Sequence, residues 1–194
     1  MKLHDDNHIM LAEVVDLVDP EDLGRVRVKY VNHPKCESDF ARLVPLMAGP
    51  EIGTFFRPDV GDEVLVTWEH GDRNRPYILG GLWSKVCPPP PDDGKPEENN
   101  WRFIVSRSGH VLKFDDTKGA ERIEIFDKDH KLKIFFDSTG DKLELIADSG
   151  DIDVKANTGK VKVEALNVEL KATANIRIEA AGEVTIKGST VNIN

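Results

Sequence analysis

The stretch that decides the fold is Ile152-Asp153-Val154, Val161-Lys162-Val163, Val168-Glu169-Leu170, Ile176-Arg177-Ile178, Val184-Thr185-Ile186 and Val191-Asn192-Ile193. Six times an apolar residue, a polar residue and an apolar residue follow one another, and the first members are spaced by 9, 7, 8, 8 and 7 residues. In extended backbone such a triplet sends both apolar side chains to one face and the middle one to the other. A fixed short period is the mark of stacked repeats. Gly150, Asn157, Gly159, Asn175, Gly182 and Gly188 fall between the triplets and suit tight turns.

One repeat cannot stand alone. Burying its two apolar side chains contributes roughly 3–6 kcal/mol, at ~1.5–3 each. Ordering its eight or so residues costs about 1–2 kcal/mol per residue in the backbone alone. With one strand and one turn per unit, stacking within a chain leaves the apolar face bare, so other chains are expected to close it. Three copies around an axis would make a triangular prism, apolar inside and charged outside; periodicity alone does not fix the number. The expected core of that prism is Ile152, Val154, Val161, Val163, Val168, Leu170, Ile176, Ile178, Val184 and Ile186.

Working towards the N-terminus, further apolar pairs occur at Leu112/Phe114, Ile123/Ile125, Leu132/Ile134 and Leu143/Leu145, and Lys113 is expected to face outward. The segment 101–194 is therefore read as one β-helical spike. Before it, Pro88 to Pro91 open a stretch without an apolar face, and residues 88–100 read as a semi-rigid linker. Residues 1–87 form a separate unit. Strands are expected at 10–18, 23–31, 42–47, 62–69 and 76–82. Val26, Val28 and Tyr30 alternate with Arg25, Arg27 and Lys29, and Asp19-Pro20-Glu21-Asp22 supplies a turn. Five or six short strands without a convincing helix predict a small closed barrel.

Composition excludes several functions. The 194 residues carry 35 acidic and 26 basic side chains, a formal net charge of −9. That field opposes a nucleic-acid groove and charge-driven docking on an anionic membrane. Trp68, Phe55, Phe56 and Trp83 could stack bases, but barrel core or contacts between copies fit the charge better. No run of 18 apolar residues is present, and the start lacks an apolar signal region. Two lone cysteines, Cys36 and Cys87, fit a protein made in the cytoplasm. The six histidines, His4, His8, His33, His70, His110 and His130, show no metal-ligand spacing. No nucleophile elbow, P-loop or dinucleotide fingerprint occurs. Gly71-Asp72-Arg73-Asn74 reads as a hairpin turn. No catalytic residue, cofactor or metal is expected, and the chain is read as no enzyme.

Two motifs carry a family resemblance. Phe56-Arg57-Pro58-Asp59-Val60-Gly61-Asp62-Glu63-Val64, followed by Gly71-Asp72-Arg73-Asn74-Arg75-Pro76-Tyr77-Ile78-Leu79-Gly80, resembles the OB-fold domain of VgrG and phage baseplate spike proteins. The shared positions are Pro58, Gly61, Asp62, Glu63, Val64, Gly71, Asp72, Arg75, Pro76 and Gly80. Ser106-Arg107-Ser108-Gly109-His110 is similar to the segment that opens the spike of that family. The resemblance implies an all-β chain: an N-terminal OB-fold barrel followed by a trimeric intertwined β-helix, the triangular prism.

It further implies a homotrimer in a contractile injection particle, of phage tail, secretion apparatus or extracellular type. The OB-folds would sit on a baseplate hub and the needle would contact the target membrane transiently. No hub-like region precedes the OB-fold here, so a separate hub protein is expected. The ending Val191-Asn192-Ile193-Asn194 lacks the His-x-His iron site of some short spikes, and is expected to seat a PAAR-like tip protein. The competing readings are an OB ligand-binding module on a structural β-stalk, and a phage tail fibre or tail enzyme.

Overall fold

A computed structural model describes residues 9–193; Asn194, His4 and His8 lie outside the described residues. Among the described residues every regular element is a β-strand, apart from a 3-10 turn at Glu69–Gly71. The first unit holds β1 (Ile9–Asp16), β2 (Arg27–Tyr30), β3 (Arg42–Leu43), β4 (Ala48–Gly49), β5 (Ile52–Gly53), β6 (Glu63–Trp68) and β7 (Pro76–Gly81). Five of these form one curled sheet in the order β2-β1-β6-β7-β3, antiparallel except for β3 beside β7. Val26 and Ala41 exchange both backbone hydrogen bonds, 3.1 and 2.7 Å, and tie the two edges together.

Period-two alternation fills the interior of this sheet. Met10, Ala12 and Val14 come from β1, Val28 and Tyr30 from β2, and Val64, Val66 and Trp68 from β6; Val26, Ala41 and Ile78 complete the core. Trp68 is thus a core residue and unavailable for base stacking. Its Nε1 donates to the Tyr30 hydroxyl at 3.3 Å, and burial pushes that hydroxyl above its ordinary pKa range.

Two expected strands are shorter than their alternation suggested. The one expected at 23–31 begins only at Arg27 because the Asp19 carboxylate holds the preceding loop. It accepts from the amides of Glu21, Leu23 and Arg25 and from the Arg25 guanidinium. The one expected at 42–47 stops at Leu43, because Pro45 has no amide for a ladder. The chain then leaves the sheet as an arm folded by the β4–β5 hairpin, which sequence reading missed. Gly53 is required there: its φ is +147°, and a Cβ would lie 2.4 Å from the Met47 carbonyl oxygen.

Residues 82–100 carry no strand. The next unit is an antiparallel meander, β8 (Trp101–Val105), β9 (Val111–Asp115), β10 (Arg122–Phe126), β11 (Leu132–Asp137) and β12 (Lys142–Ala147), in spatial order β8-β9-β10-β11-β12. Within the expected spike, 101–194, this meander is thus distinct from the segment that follows it. The apolar pairs here begin at 112, 123, 132 and 143, wider steps than in the later repeat. Each step accommodates a five- or six-residue strand and a tight turn, so consecutive strands of the same chain fold back and pair.

Residues 151–193 differ again. They contain no strand, and the last backbone hydrogen bond among the described residues runs from the Asp148 amide to the Lys131 carbonyl, 2.8 Å. Bends fall at 157–159, 166, 173–174, 181–182 and 189, one per repeat. Between bends the chain forms no strand, and every residue there is exposed. The predicted rungs are therefore not hydrogen-bonded to one another by this chain.

Candidate functional site

The family-motif residues build turns and core rather than a reactive centre. In the 58–62 turn the Asp59 amide donates to the Asp62 carboxylate at 2.8 Å. The Gly61 amide donates to the Val14 carbonyl and the Val14 amide to the Asp62 carbonyl, both 2.9 Å. Gly61, at φ +95°, lets the chain turn there without a Cβ. Glu63 opens β6 and Val64 enters the core. Gly71 and Asp72 form the β6–β7 connection, where Arg75 bridges to Glu69 at 3.2 Å and to Asp72 at 3.7 Å. The Arg75 guanidinium and the Tyr77 hydroxyl hold Glu69 below the usual carboxylate range. Pro76 is buried at the start of β7, and Gly80 follows an irregularity in the β6–β7 ladder.

The meander presents two unlike faces. The ladder registers place Phe114, Ile123, Phe136 and Leu143 in one row, and Ile104, Leu112, Ile125, Ile134 and Leu145 in the next. Leu132 lies beyond them. All ten are on the same face, seven exposed and three half-buried. A shallow concavity of about 620 Å³ runs along it, lined by Leu112, Ile125, Ile134 and Leu145 together with Ile152 from the first of the later repeats. The sequence pairs Leu112/Phe114, Ile123/Ile125, Leu132/Ile134 and Leu143/Leu145 all lie on this face, which was expected to be inside, whereas Ile104 and Phe136 were not foreseen.

On the opposite face Lys113 is buried rather than solvated. Its Nζ contacts the Glu124 carboxylate, lies 4.0 Å from Asp115 and sits 4.1 Å from the centre of the Trp101 ring. Arg122 bridges to Asp115 at 3.4 Å and to Glu124 at 2.9 Å. Burial raises the Asp115 carboxyl, but hydrogen bonds from Thr117 and the charges of Lys113 and Arg122 outweigh it and leave it below the ordinary value. The signal available in the sequence was strand alternation carried across the register, which puts Lys113 and Glu124 side by side.

The expected prism core lies uncovered along 151–193. Ile152 is 57% exposed and Val154 70%, and Val161, Val163, Val168, Leu170, Ile176, Ile178, Val184 and Ile186 are exposed likewise. On the other side of the backbone, Asp153 pairs with Lys155, Lys162 with Glu164, and Arg177 with Glu179. Val191, Asn192 and Ile193 of the expected tip are exposed, and Asn194 is outside the described residues. The OB unit has an exposed apolar ridge of its own on the arm, including Leu46, Phe55 and Phe56, with Trp83 exposed after β7.

Among the described residues no group of three or more His, Cys, Asp or Glu side chains could hold a metal ion. His130 stacks on Phe126, and the His110 Nδ1 accepts from the Lys128 amide at 3.2 Å. Cys36 and Cys87 are exposed free thiols. No described helix is long and apolar enough to cross a membrane.

Every prominent surface is therefore an apolar face without a covering layer, and the motif residues serve a scaffold. No curated protein matches the chain. Residues 10–83 match the model of the type VI secretion system/phage-baseplate injector OB domain, a span that covers the curled sheet β1 to β7. Such a domain carries a baseplate- or spike-related structural role and assembles with baseplate components in a phage tail-like particle. Residues 10–83 thus carry an OB domain similar to that of type VI secretion and phage-baseplate injectors, and this match supports a likeness to VgrG and baseplate spike proteins.

Proposed function

We propose that this chain is the subunit of a homotrimeric central spike, a non-enzymatic needle driven through a target envelope by a contractile injection particle. In this reading residues 1–87 form a collar on a baseplate hub, 88–100 link collar to needle, and 101–194 form the needle. The segment Val191 to Asn194 seats a PAAR-like tip protein.

The observation that carries the proposal is the state of residues 151–193. They form no strand, bend once per repeat and bury none of their apolar pairs, and no backbone hydrogen bond forms among them. Unpaired extended backbone with an apolar stripe is a template for strands from elsewhere. A single-chain solenoid bending at these corners would stack its own coils and satisfy its own ladder. Three interleaved copies would instead place each chain's neighbours on other chains, which gives both the missing bonds and the missing cover.

The test is the mass of the purified protein by light scattering, repeated after removal of residues 101–194. A trimer that dissociates on removal of the needle supports the reading. A full-length monomer sinks it.

A further inference from the structure

Residues 151–193 have a weakness as an assembly device: they barely specify register. Sliding one chain past another by one repeat lays Val161/Val163 onto Val168/Leu170, and Ile176/Ile178 onto Val184/Ile186. Apolar pairs still meet apolar pairs, so slipped and correct alignments differ little in energy. Something outside the repeat has to fix the alignment.

We infer that the apolar face of the β8–β12 meander is the trimerisation and registration surface, covered by the same face of two further copies, and that the repeat zips up only after it has docked. This rests on the trimeric reading above. Four observations carry it. The sheet's ladder is complete within one chain, so it can form before any partner arrives. Its other face carries the Lys113, Glu124, Asp115 and Arg122 cluster beside Trp101, with Phe103, Phe126, Phe135 and Ile146 half-buried among them, whereas seven of the ten side chains on the apolar face are exposed.

The area also suffices. Ten large apolar side chains, seven of them 40–60% uncovered and three less so, expose on the order of 800 Å², which is what one partner contributes to a stable interface. Finally, the face is not self-similar and runs on into the repeat. Phe114 and Phe136 occupy one row and aliphatic residues the next. Arg102 ends the aromatic row at β8, and Ser106, His110 and Asp127 follow the aliphatic row at its far end. A shift by one row would place aromatic against aliphatic and bury those polar groups. Ile152 shares the concavity of this face, so a docked sheet delivers the first repeat to the axis already aligned.

The test uses the full chain with Ile125→Asp or Leu145→Glu on the sheet, and Val163→Asp with Ile178→Asp on the repeat. Masses come from light scattering. Hydrogen exchange in β9, β10 and β11 reports whether the sheet has folded. The expected result is a wild-type trimer, monomers with a protected sheet for both sheet variants, and a trimer with a protease-sensitive end for the repeat variant. Sheet variants that remain trimeric, or a repeat variant that is monomeric, would overturn the inference while leaving the trimer reading intact. Loss of sheet protection in both Ile125→Asp and Leu145→Glu would also overturn it, because the sheet would then not fold ahead of assembly. A monomeric wild type would instead remove the reading on which the inference rests.

Discussion

Arg107 donates to Asp59 at 2.7 Å and so joins the turn between β8 and β9 to the turn that precedes β6. Both belong to segments that match the family resemblance, and 48 residues separate them in sequence. The Arg107 side chain is largely exposed and Asp59 partly so, which places the pair among surface bridges worth about 0.2–1 kcal/mol. A double-mutant cycle with Asp59→Ala and Arg107→Ala is expected to give a coupling in that range, fading as salt screens it. A coupling that survives high salt unchanged would show that the contact is something other than an exposed ion pair.

Lys113 makes the opposite case. It is buried with two carboxylates and an aromatic ring, so removing its charge leaves the buried Glu124 and Asp115 with only the half-exposed Arg122 as cation. Breaking a buried pair at one end costs about 3–5 kcal/mol, whereas removing both ends can be nearly neutral. Lys113→Met is therefore expected to destabilise the meander by about that amount, read by chemical denaturation with exchange measured in β9 and β10. Lys113→Met combined with Glu124→Leu is expected to lose less than Lys113→Met alone. A double variant weaker than the single one would refute the charge argument.

The same residue shows how far the sequence could be read. Alternation alone placed the core strands of the OB unit, because Val26, Val28 and Tyr30 answer a single inward face. The motif around Pro58 and Gly61 was legible because its turn needs those residue types at that spacing. Lys113 does face away from Leu112 and Phe114 as expected, but its burial was not legible, because it depends on Glu124, Asp115 and Trp101 being brought beside it by the register of neighbouring strands. The β4–β5 hairpin was missed because Ala48, Gly49, Ile52 and Gly53 have no alternation to announce them. Leu112/Phe114 and Val161/Val163 look alike as triplets; only the wider spacing of the earlier ones separates a sheet that pairs with itself from a segment that does not.

Asp19 provides an acid-sensitive element in the OB unit. The Arg25 guanidinium, aided by three backbone amides, holds its carboxyl well below the usual range. A carboxylate depressed on folding contributes stability that is fully present above its unfolded value, near 3.9, and is lost as pH falls towards the folded one. The expected outcome is a wild-type OB unit whose melting temperature drops steeply below about pH 4. Asp19→Asn, already missing that charge, should start lower at neutral pH and show a shallower drop. Parallel acid profiles for the two proteins would show that Asp19 does not carry the dependence.

The most direct prediction concerns the amides of residues 151–193. In one chain none of them donates to backbone, and an isolated extended segment would exchange them as fast as an unfolded peptide does. If three copies interleave, amides along the walls donate to neighbouring chains and exchange slowly. Those at the bends 157–159, 173–174 and 181–182 should remain fast, giving protection that rises and falls once per repeat. Lys162→Pro sharpens the comparison. Proline is at home in unpaired extended backbone but removes a donor from a ladder. It is therefore expected to leave the OB unit unchanged while opening protection around Val161 and Val163. Uniformly fast exchange across 151–193 in the assembled protein would mean that the repeat never forms walls, whatever the number of copies present.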